Sequence, residues 1–196
     1  VVKQFKLVYK EGEIKKGRNL LAFEVAKRNV SNFLKVEQES IKNGDAIKIL
    51  ALEETFARQL THPNLPFPVL IKGNVDRIEE RNGIIRIIDY KTGKVEKASV
   101  TLKTWEALTE DIKTDKIIQV LAYAYMYEQE AKDKPIEAGI ISFKNLKAGF
   151  LPFNFKEDKE IYSIINEEIL SNYLEQMVLL LSEILDENVP FEEKLI

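Results

Sequence analysis

Apolar residues recur at different spacings along the chain, and the first long pattern is helical. Positions three to four apart are apolar over Gly17–Lys42 and predict one helix there, ended by Asn43-Gly44. Residues 47–56 alternate less regularly and predict a strand in which three large side chains share a face: Leu50, Leu52 and Phe56. A proline-rich connection follows at residues 63–68.

The second half of the chain predicts further alternation of helix and strand. Residues 94–115 are polar, hold Trp105 and are interpreted as a loop or a partly ordered flap. Beyond them we predict a helix, two strands and a long amphipathic helix, at residues 116–130, 138–144, 149–155 and 158–186. Pro152 favours an edge position for the second of these strands. This order predicts an α/β (α+β) fold in which helices flank a mixed β-sheet.

Two predicted strands on either side of Asn82-Gly83 are the most informative part of the pattern. Asn-Gly is the strongest short-range signal for a tight hairpin turn. With these two residues as the turn, Asp76 falls opposite Asp89, and Glu79 falls opposite Arg86. The register therefore brings two carboxylates together on one face and an opposite-charge pair together on the other.

The face with the two aspartates has the composition of a metal site. Residues two apart share a face, so Asn74 and Lys91 join Asp76 and Asp89, and apolar residues continue the face inward: Ile78, Ile85 and Ile87. Opposed carboxylates have Cβ atoms roughly 5 Å apart. At an effective dielectric near 20 they repel by about 3 kcal/mol. A divalent cation between them would offset this repulsion. The alternative is that these charges are solvated on an exposed hairpin.

Composition limits the ligands that such a metal could have. The chain has no cysteine, which excludes disulfides, thiolate zinc sites and cysteine-ligated iron–sulfur clusters. Its single histidine, His62, lies in a segment with the composition of a loop. The ligands must therefore be oxygen atoms, which favours magnesium, manganese or calcium.

Charge is unevenly distributed along the 196 residues. The net charge is -3, yet residues 1–50 carry 11 basic and 6 acidic side chains, whereas residues 157–196 carry 2 and 11. A polyanion could meet the basic part while the acidic part faces away, although such runs are also typical of solvated helix faces. No apolar run approaches the roughly 18 residues of a membrane span. We expect one cytoplasmic domain with no membrane partner, cut from a longer protein because the chain begins with valine.

Three motifs in this order resemble a known family. Gly73-x-x-Asp76-Arg-Ile, Asp89-Tyr-Lys91-Thr-Gly and Gln119-x-x-x-Tyr123 together resemble the PD-(D/E)XK nuclease superfamily. The closest branch is the RecB/AddB-type nuclease domain that accompanies a DNA helicase, and the resemblance is strongest over residues 70–130. It implies a restriction-endonuclease-like core in a single domain spanning residues 1–196. It also implies a metal-dependent DNA nuclease, acting as an exonuclease in helicase-linked DNA repair or recombination.

The resemblance also implies roles for individual residues. Asp76 and Asp89 would be ligands of Mg²⁺ or Mn²⁺, with the backbone carbonyl of Tyr90 as a third ligand. Lys91 would position or help to deprotonate the attacking water and offset charge on the phosphate. Four more residues would lie near the substrate: Gln119, Tyr123, Asn74 and Arg77. Alternatively, Tyr123 packs in the core and Gln119 only caps it.

Two departures from the family pattern are visible. The family's first helix often carries Gly-x-x-x-His-x-x-Leu-Glu with a metal-binding histidine, but the matching positions here are Leu21, Glu24 and Val25. An acid on the next strand, Glu53 in preference to Glu54, could complete the metal shell instead. Relatives in this branch also carry a cysteine cluster for an iron–sulfur site, and this chain has none. We therefore expect no iron–sulfur cluster.

Several functions stay open at this point. A DNA nuclease would have DNA as its substrate and a helicase domain or subunit as its partner, in some cases within the same parent polypeptide. A catalytically inactive member of the fold would act as a DNA-binding or scaffold domain. The chain could also be a protein-interaction module that uses the acidic C-terminal helix, or a metal-dependent hydrolase of a small phosphorylated molecule.

Overall fold

The computed structural model describes residues 2–9 and 16–190. Its α-helices are α1 (Val2–Tyr9), α2 (Gly17–Lys42), α3 (Ala107–Glu110), α4 (Asp115–Tyr127) and α5 (Glu167–Leu185). Its strands are β1 (Ile47–Leu60), β2 (Val69–Arg81), β3 (Ile84–Lys91), β4 (Thr101–Leu102), β5 (Ile136–Ser142), β6 (Phe150–Pro152), β7 (Asn154–Glu157) and β8 (Glu160–Tyr162). Within these residues, no helix is both long enough and apolar enough to cross a membrane.

A five-stranded mixed sheet forms the centre of the fold. Its strand order is β1-β2-β3-β5-β6, and only the β3–β5 pair within it is parallel. The connection between these two parallel strands includes α4, which packs on the sheet. A smaller sheet has the order β4-β7-β8. This architecture confirms the predicted α/β fold, with a mixed sheet flanked by helices as in restriction-endonuclease-like proteins.

Helix α2 lies on one face of the sheet and has the predicted bounds, with the Asn43 amide bonded to the carbonyl of Glu39. A buried ionic network joins it to β2. Glu37 pairs with Arg77 and Arg81, each at 2.7 Å, and both arginines also contact Glu79, whose side chain is about 1% exposed. The network fixes the helix on the sheet.

The predicted Glu79–Arg86 ion pair is wrong, although the register behind it is right. Glu79 is the backbone partner of Arg86 across the hairpin, as predicted. Its carboxylate instead contacts two arginines of its own strand, and Arg86 pairs with Glu137 on β5 at 3.0 Å. Arginines two residues away on the same strand compete with Arg86 for the Glu79 carboxylate. Strand β5, on the other side of β3, offers Arg86 another carboxylate.

The opposite face of the sheet packs on α4 and carries the main hydrophobic core. Ile78, Ile85 and Ile87 are buried there, as the alternation predicts. Most of α4 is buried against them, because its apolar residues surround much of the helix rather than one stripe. Asp76 within β2 and the polar end of β3 therefore lie beside a well-packed region.

Strand β1 differs from the prediction in its length and in its faces. It continues to Leu60, and its register to β2 shifts between Ile49 and Ala51, which marks a bulge. Glu53 adds a second irregularity, with a positive φ of 50°. Alternation is thus interrupted on both sides of Leu52, so Leu50 and Phe56 pack against the core while Leu52 is 60% exposed. The predicted shared face of these three residues is therefore wrong.

The segment predicted as a loop or flap is part of the folded core. Residues 94–115 contain β4, α3 and two short 3₁₀ turns, and four of their apolar side chains are buried: Val95, Val100, Leu102 and Leu108. The elements are too short to show a period in the sequence. Their burial comes from contacts with distant residues.

The predicted long C-terminal helix begins later than expected. Residues 158–162 form the turn and second strand of the β7–β8 hairpin, and α5 starts after the Asn166 cap. The strand predicted over residues 149–155 is split between β6 and β7, in two different sheets. Pro152 ends β6 at the edge of the large sheet, as predicted.

Candidate active site

The hairpin turn sets the position of the two aspartates. Asn82 and Gly83 both have positive φ, 53° and 86°, which is the geometry of a type I′ turn. The paired register ends at Arg77 opposite Ile88, one residue before the aspartates. There the Tyr90 amide donates a 2.7 Å hydrogen bond to Oδ2 of Asp76. The Asp76 carboxylate is thereby held at the end of the ladder, beside Asp89.

Asp89 is a buried acid with an incompletely satisfied carboxylate. Its side chain is 6% exposed, and Oδ1 accepts a 3.0 Å hydrogen bond from Nε2 of Gln119. Oδ2 lies 2.9 Å from Nζ of Lys91, but it is fully buried and the contact lacks the geometry of a hydrogen bond. Burial raises the pKa of Asp89, and the charge of Asp76 adds to this rise against the opposing effects of Lys91 and Gln119.

Gln119 connects the two catalytic candidates on β3. Its Oε1 accepts a 2.8 Å hydrogen bond from Lys91, while its Nε2 donates to Asp89 and, at 2.8 Å, to the hydroxyl of Tyr123. An ammonium can only donate and an ionised carboxylate can only accept, so these partners fix the orientation of the amide. Gln119 therefore holds Lys91 and Asp89 in one arrangement.

Tyr123 both packs in the core and reaches the site. Its side chain is buried in the main cluster, and its hydroxyl accepts from Gln119 one turn earlier on α4. Burial raises the pKa of this hydroxyl, and the charges of Asp89 and Asp76 raise it further. Tyr123 therefore packs in the core and supports Gln119, which contacts Asp89 and Lys91. A role of either residue in binding substrate stays a prediction.

The packing of β2 against α4 explains why residue 73 is a glycine, which the sequence alone did not show. A Cβ atom at this position would lie 2.9 Å from Cε1 of Tyr123 and 3.2 Å from Cε of Met126. Any side chain would push α4 away from β2. The glycine of the first motif therefore allows the close approach that places Gln119 beside Asp89.

Asn74 and Glu53 contact each other at the exposed end of the hairpin. Asn74 donates a 3.2 Å hydrogen bond to Oε2 of Glu53 and accepts one from the hydroxyl of Thr55. Within residues 2–9 and 16–190, no group of three or more His, Cys, Asp or Glu side chains is arranged to hold a metal ion. Glu53 as a third acidic ligand stays a prediction.

Arg77 and the ring of Tyr90 lie on the opposite face of the sheet, towards α2. Arg77 is 6% exposed and donates to the Tyr90 hydroxyl at 3.3 Å in addition to its two carboxylate contacts. The Tyr90 ring packs between Phe33 and Phe143, with centroids 5.5 and 5.4 Å away. This placement does not support the predicted contact of Arg77 with substrate, because its guanidinium is buried in structural ion pairs.

Comparison with protein-family models matches residues 7–194 to the PD-(D/E)XK nuclease superfamily. The chain belongs to this superfamily. The match spans most of the sequence and includes all three motifs as well as the helices and strands that flank them. No curated protein matches the sequence.

Membership explains the arrangement at the end of the β2–β3 hairpin. PD-(D/E)XK nucleases typically use divalent metals such as Mg²⁺. Asp76, Asp89 and Lys91 stand in the order of the two acids and the lysine of the family signature, and their assignment to that signature stays a prediction. The buried Oδ2 of Asp89 fits a cation, because it is an ionisable oxygen without a hydrogen bond. The donor set consists of hard oxygen atoms, as such metals require.

Proposed function

We propose that this chain is a metal-dependent DNA nuclease that hydrolyses phosphodiester bonds at Asp76, Asp89 and Lys91. The observation that carries the proposal is the arrangement around Asp89. Its buried carboxylate contacts Lys91 and Gln119, lies beside a second carboxylate and keeps one oxygen without a hydrogen bond. A sheet that only needed stability would not retain such a group, because a buried acid of this kind is unfavourable.

Asp76 and Asp89 would hold the metal, with Mg²⁺ or Mn²⁺ as the ions that suit their oxygens. Strand N–H and C=O groups of one residue point to the same side, and the Tyr90 amide points to Asp76. We therefore expect the Tyr90 carbonyl to face the same place as a third ligand. A bound divalent ion lowers the pKa of water and stabilises negative charge on the phosphate and leaving oxygens.

Lys91 supplies the positive charge of the site. Its ammonium is a compact donor that suits a phosphate oxygen or the attacking water. In the free protein it rests between Oδ2 of Asp89 and Oε1 of Gln119. Gln119 would keep the ammonium aimed at the scissile phosphate, and Asn74 at the open end of the hairpin would contact the substrate.

We further propose that the nuclease is an exonuclease of the RecB/AddB type that works with a helicase domain or subunit in DNA repair or recombination. The spacing of the three motifs supports it. The excess of basic side chains in residues 1–50, against the acidic last forty residues, supports a polyanionic substrate. We further propose that the chain acts as one domain without an iron–sulfur cluster.

The test is cleavage of linear single-stranded, linear double-stranded and circular DNA with Mg²⁺, Mn²⁺ or EDTA. Wild type should degrade linear DNA only with metal, and Asp89→Asn and Lys91→Ala should each lower the rate by at least about 10²-fold. Lys94→Ala is the matched control, because Lys94 is exposed and its ion pair is with Glu96, which is exposed as well. Cleavage that survives both site substitutions would refute the assignment, and cleavage of circles would replace the exonuclease with an endonuclease.

A catalytically inactive DNA-binding or scaffold domain is the second candidate. The lack of a third acidic side chain beside Asp76 and Asp89, among the residues that the structure describes, favours it. An inactive domain would bind DNA equally well with Mg²⁺ or EDTA, and no metal would produce cleavage even when the helicase partner is added. Cleavage that appears only with the partner would instead support the helicase-linked nuclease.

A further inference from the structure

A second cleft lies between the β7–β8 hairpin and the start of α5. Its volume is about 630 Å³, which is in the usual range for a binding site. Its lining includes Trp105, Phe155, Glu157, Ile161, Tyr162 and Glu168. None of these residues belongs to the three nuclease motifs, so the cleft is separate from the Asp76–Asp89 site.

The floor of this cleft is an aromatic platform. Trp105 stacks on Phe155 with ring centroids 5.0 Å apart and planes 17° from parallel. Both rings are only partly buried, and Ile161, Tyr162 and Ile164 expose further apolar surface along one side. A contiguous apolar surface of this kind, in a concave setting, is typical of an interaction site.

The rim of the cleft is acidic. Glu157 and Glu168 line it, and the Tyr162 hydroxyl is hydrogen-bonded to Glu160. The pKa of Tyr162 is raised, first by that hydrogen bond and then by the charges of Glu160, Glu157 and Glu168. The basic residue at the hairpin tip, Lys159, is not part of the lining. A cationic ligand is thus attracted, and a phosphate backbone is repelled.

We propose that this cleft docks a peptide segment of a partner protein that presents a large apolar side chain next to lysine or arginine. The apolar side chain packs on the Trp105–Phe155 platform, and the neighbouring cation pairs with Glu157 and Glu168. Shape and charge are both satisfied by this chemistry, whereas DNA would satisfy only the stacking surface. The proposal does not depend on the nuclease activity.

Trp105 is the only tryptophan of the chain, so its fluorescence reports directly on the cleft. The full chain is titrated to about 1 mM with the capped peptide Gly-Lys-Leu-Lys-Leu-Gly, which has no aromatic residue. Two peptides serve as controls, one with glutamate for lysine and one with serine for leucine. Oligo(dT) is the nucleic-acid probe. A saturable shift with the basic apolar peptide alone is the expected result.

Two substitutions on one helical turn make the test specific. Glu168→Lys should weaken peptide binding by at least about tenfold, because it reverses a charge on the rim. Glu167→Lys is the matched control, since Glu167 is also exposed in the first turn of α5 but does not line the cleft. No saturable shift with the basic peptide would overturn the proposal, as would equal binding of the acidic peptide. A shift produced by oligo(dT) would replace the peptide partner with nucleic acid.

Discussion

Gly73 and Tyr123 approach so closely that a methyl group on Gly73 would stand 2.9 Å from the tyrosine ring. The contact joins β2, which carries Asp76, to α4, which carries Gln119. Gln119 is hydrogen-bonded to Tyr123, Asp89 and Lys91. The distance between β2 and α4 therefore sets the position of Gln119 relative to the two residues of β3.

Gly73→Ala should therefore reduce both stability and catalysis. The added methyl group overpacks the strand–helix contact, at a cost of about 1–3 kcal/mol in the free energy of unfolding. Displacement of Tyr123 should also lower the cleavage rate more than it weakens DNA binding. Gly93→Ala is the control, because a Cβ atom there meets nothing within 4 Å. Urea denaturation and single-turnover cleavage measure the two effects.

Asp89→Asn should stabilise the metal-free protein at neutral pH. The raised pKa of Asp89 means that the folded protein holds this proton more tightly than the unfolded chain does. Stability from this group is therefore complete below the ordinary carboxyl pKa of 3.8 and is lost as pH rises through the raised value. The difference in Tm between variant and wild type should widen as pH rises above about 4 and level off once Asp89 is ionised in the folded protein.

With Mg²⁺ bound, the wild type should have a higher Tm than Asp89→Asn, the reverse of the metal-free comparison. An ion at 100 times its Kd stabilises the protein that binds it by about 2.7 kcal/mol, and only the wild type retains both carboxylates. Thermal melting with Mg²⁺ and with EDTA gives the comparison without any activity measurement. Equal shifts in wild type and Asp89→Asn would mean that Asp89 is not a metal ligand.

Gln119→Leu should lower the cleavage rate roughly 10–100-fold, the usual effect of losing a residue that orients a metal site. Lys91 and Asp89 would each lose a hydrogen bond while their own chemistry stays intact. Tyr123→Phe removes only the hydroxyl that Gln119 contacts, so its effect should be smaller. Tyr127→Phe, one turn further along α4, is the control and should leave the rate unchanged. The ordering of the three rates under single-turnover conditions tests this chain of contacts.

Arg77→Met should cost about 3–5 kcal/mol of stability, because it leaves the buried Glu79 with one arginine fewer. Adding Glu79→Leu should recover much of the loss, since an apolar pair can replace a buried ionic one. Urea denaturation of the two single variants and the double variant gives the coupling free energy between Arg77 and Glu79. A substrate role for Arg77 predicts something different, namely a raised KM in Arg77→Lys with unchanged stability.

The parts of the fold that local chemistry determines were predictable. Asn82-Gly83 specifies its own turn and hence the hairpin register, and the Asn43-Gly44 stop ends α2 where expected. That register also predicts that Asp76 lies near Asp89, as the structure shows, whereas the role of the two aspartates and Lys91 in a metal site stays a prediction.

Features that depend on distant contacts were not predictable. The partner of Arg86 depends on β5, which lies some fifty residues later in the sequence. The elements within residues 94–115 are too short to show a helical or strand period in the sequence. The close approach at Gly73 depends on α4, which lies more than forty residues later in the sequence. A bulge near Leu50 cannot be inferred from alternation, because it is the point at which alternation fails.

The irregularities of β1 have a consequence for the behaviour of the protein in concentrated solution. This strand is the long edge of the sheet, paired to β2 on one side. A second chain adding to its other side would have to match the bulge near Leu50 and the positive φ of 50° at Glu53, and would meet the charges of Glu53 and Glu54. Bulges and charges of this kind discourage edge-to-edge pairing. We therefore expect Glu53 to protect the protein against aggregation through this strand edge.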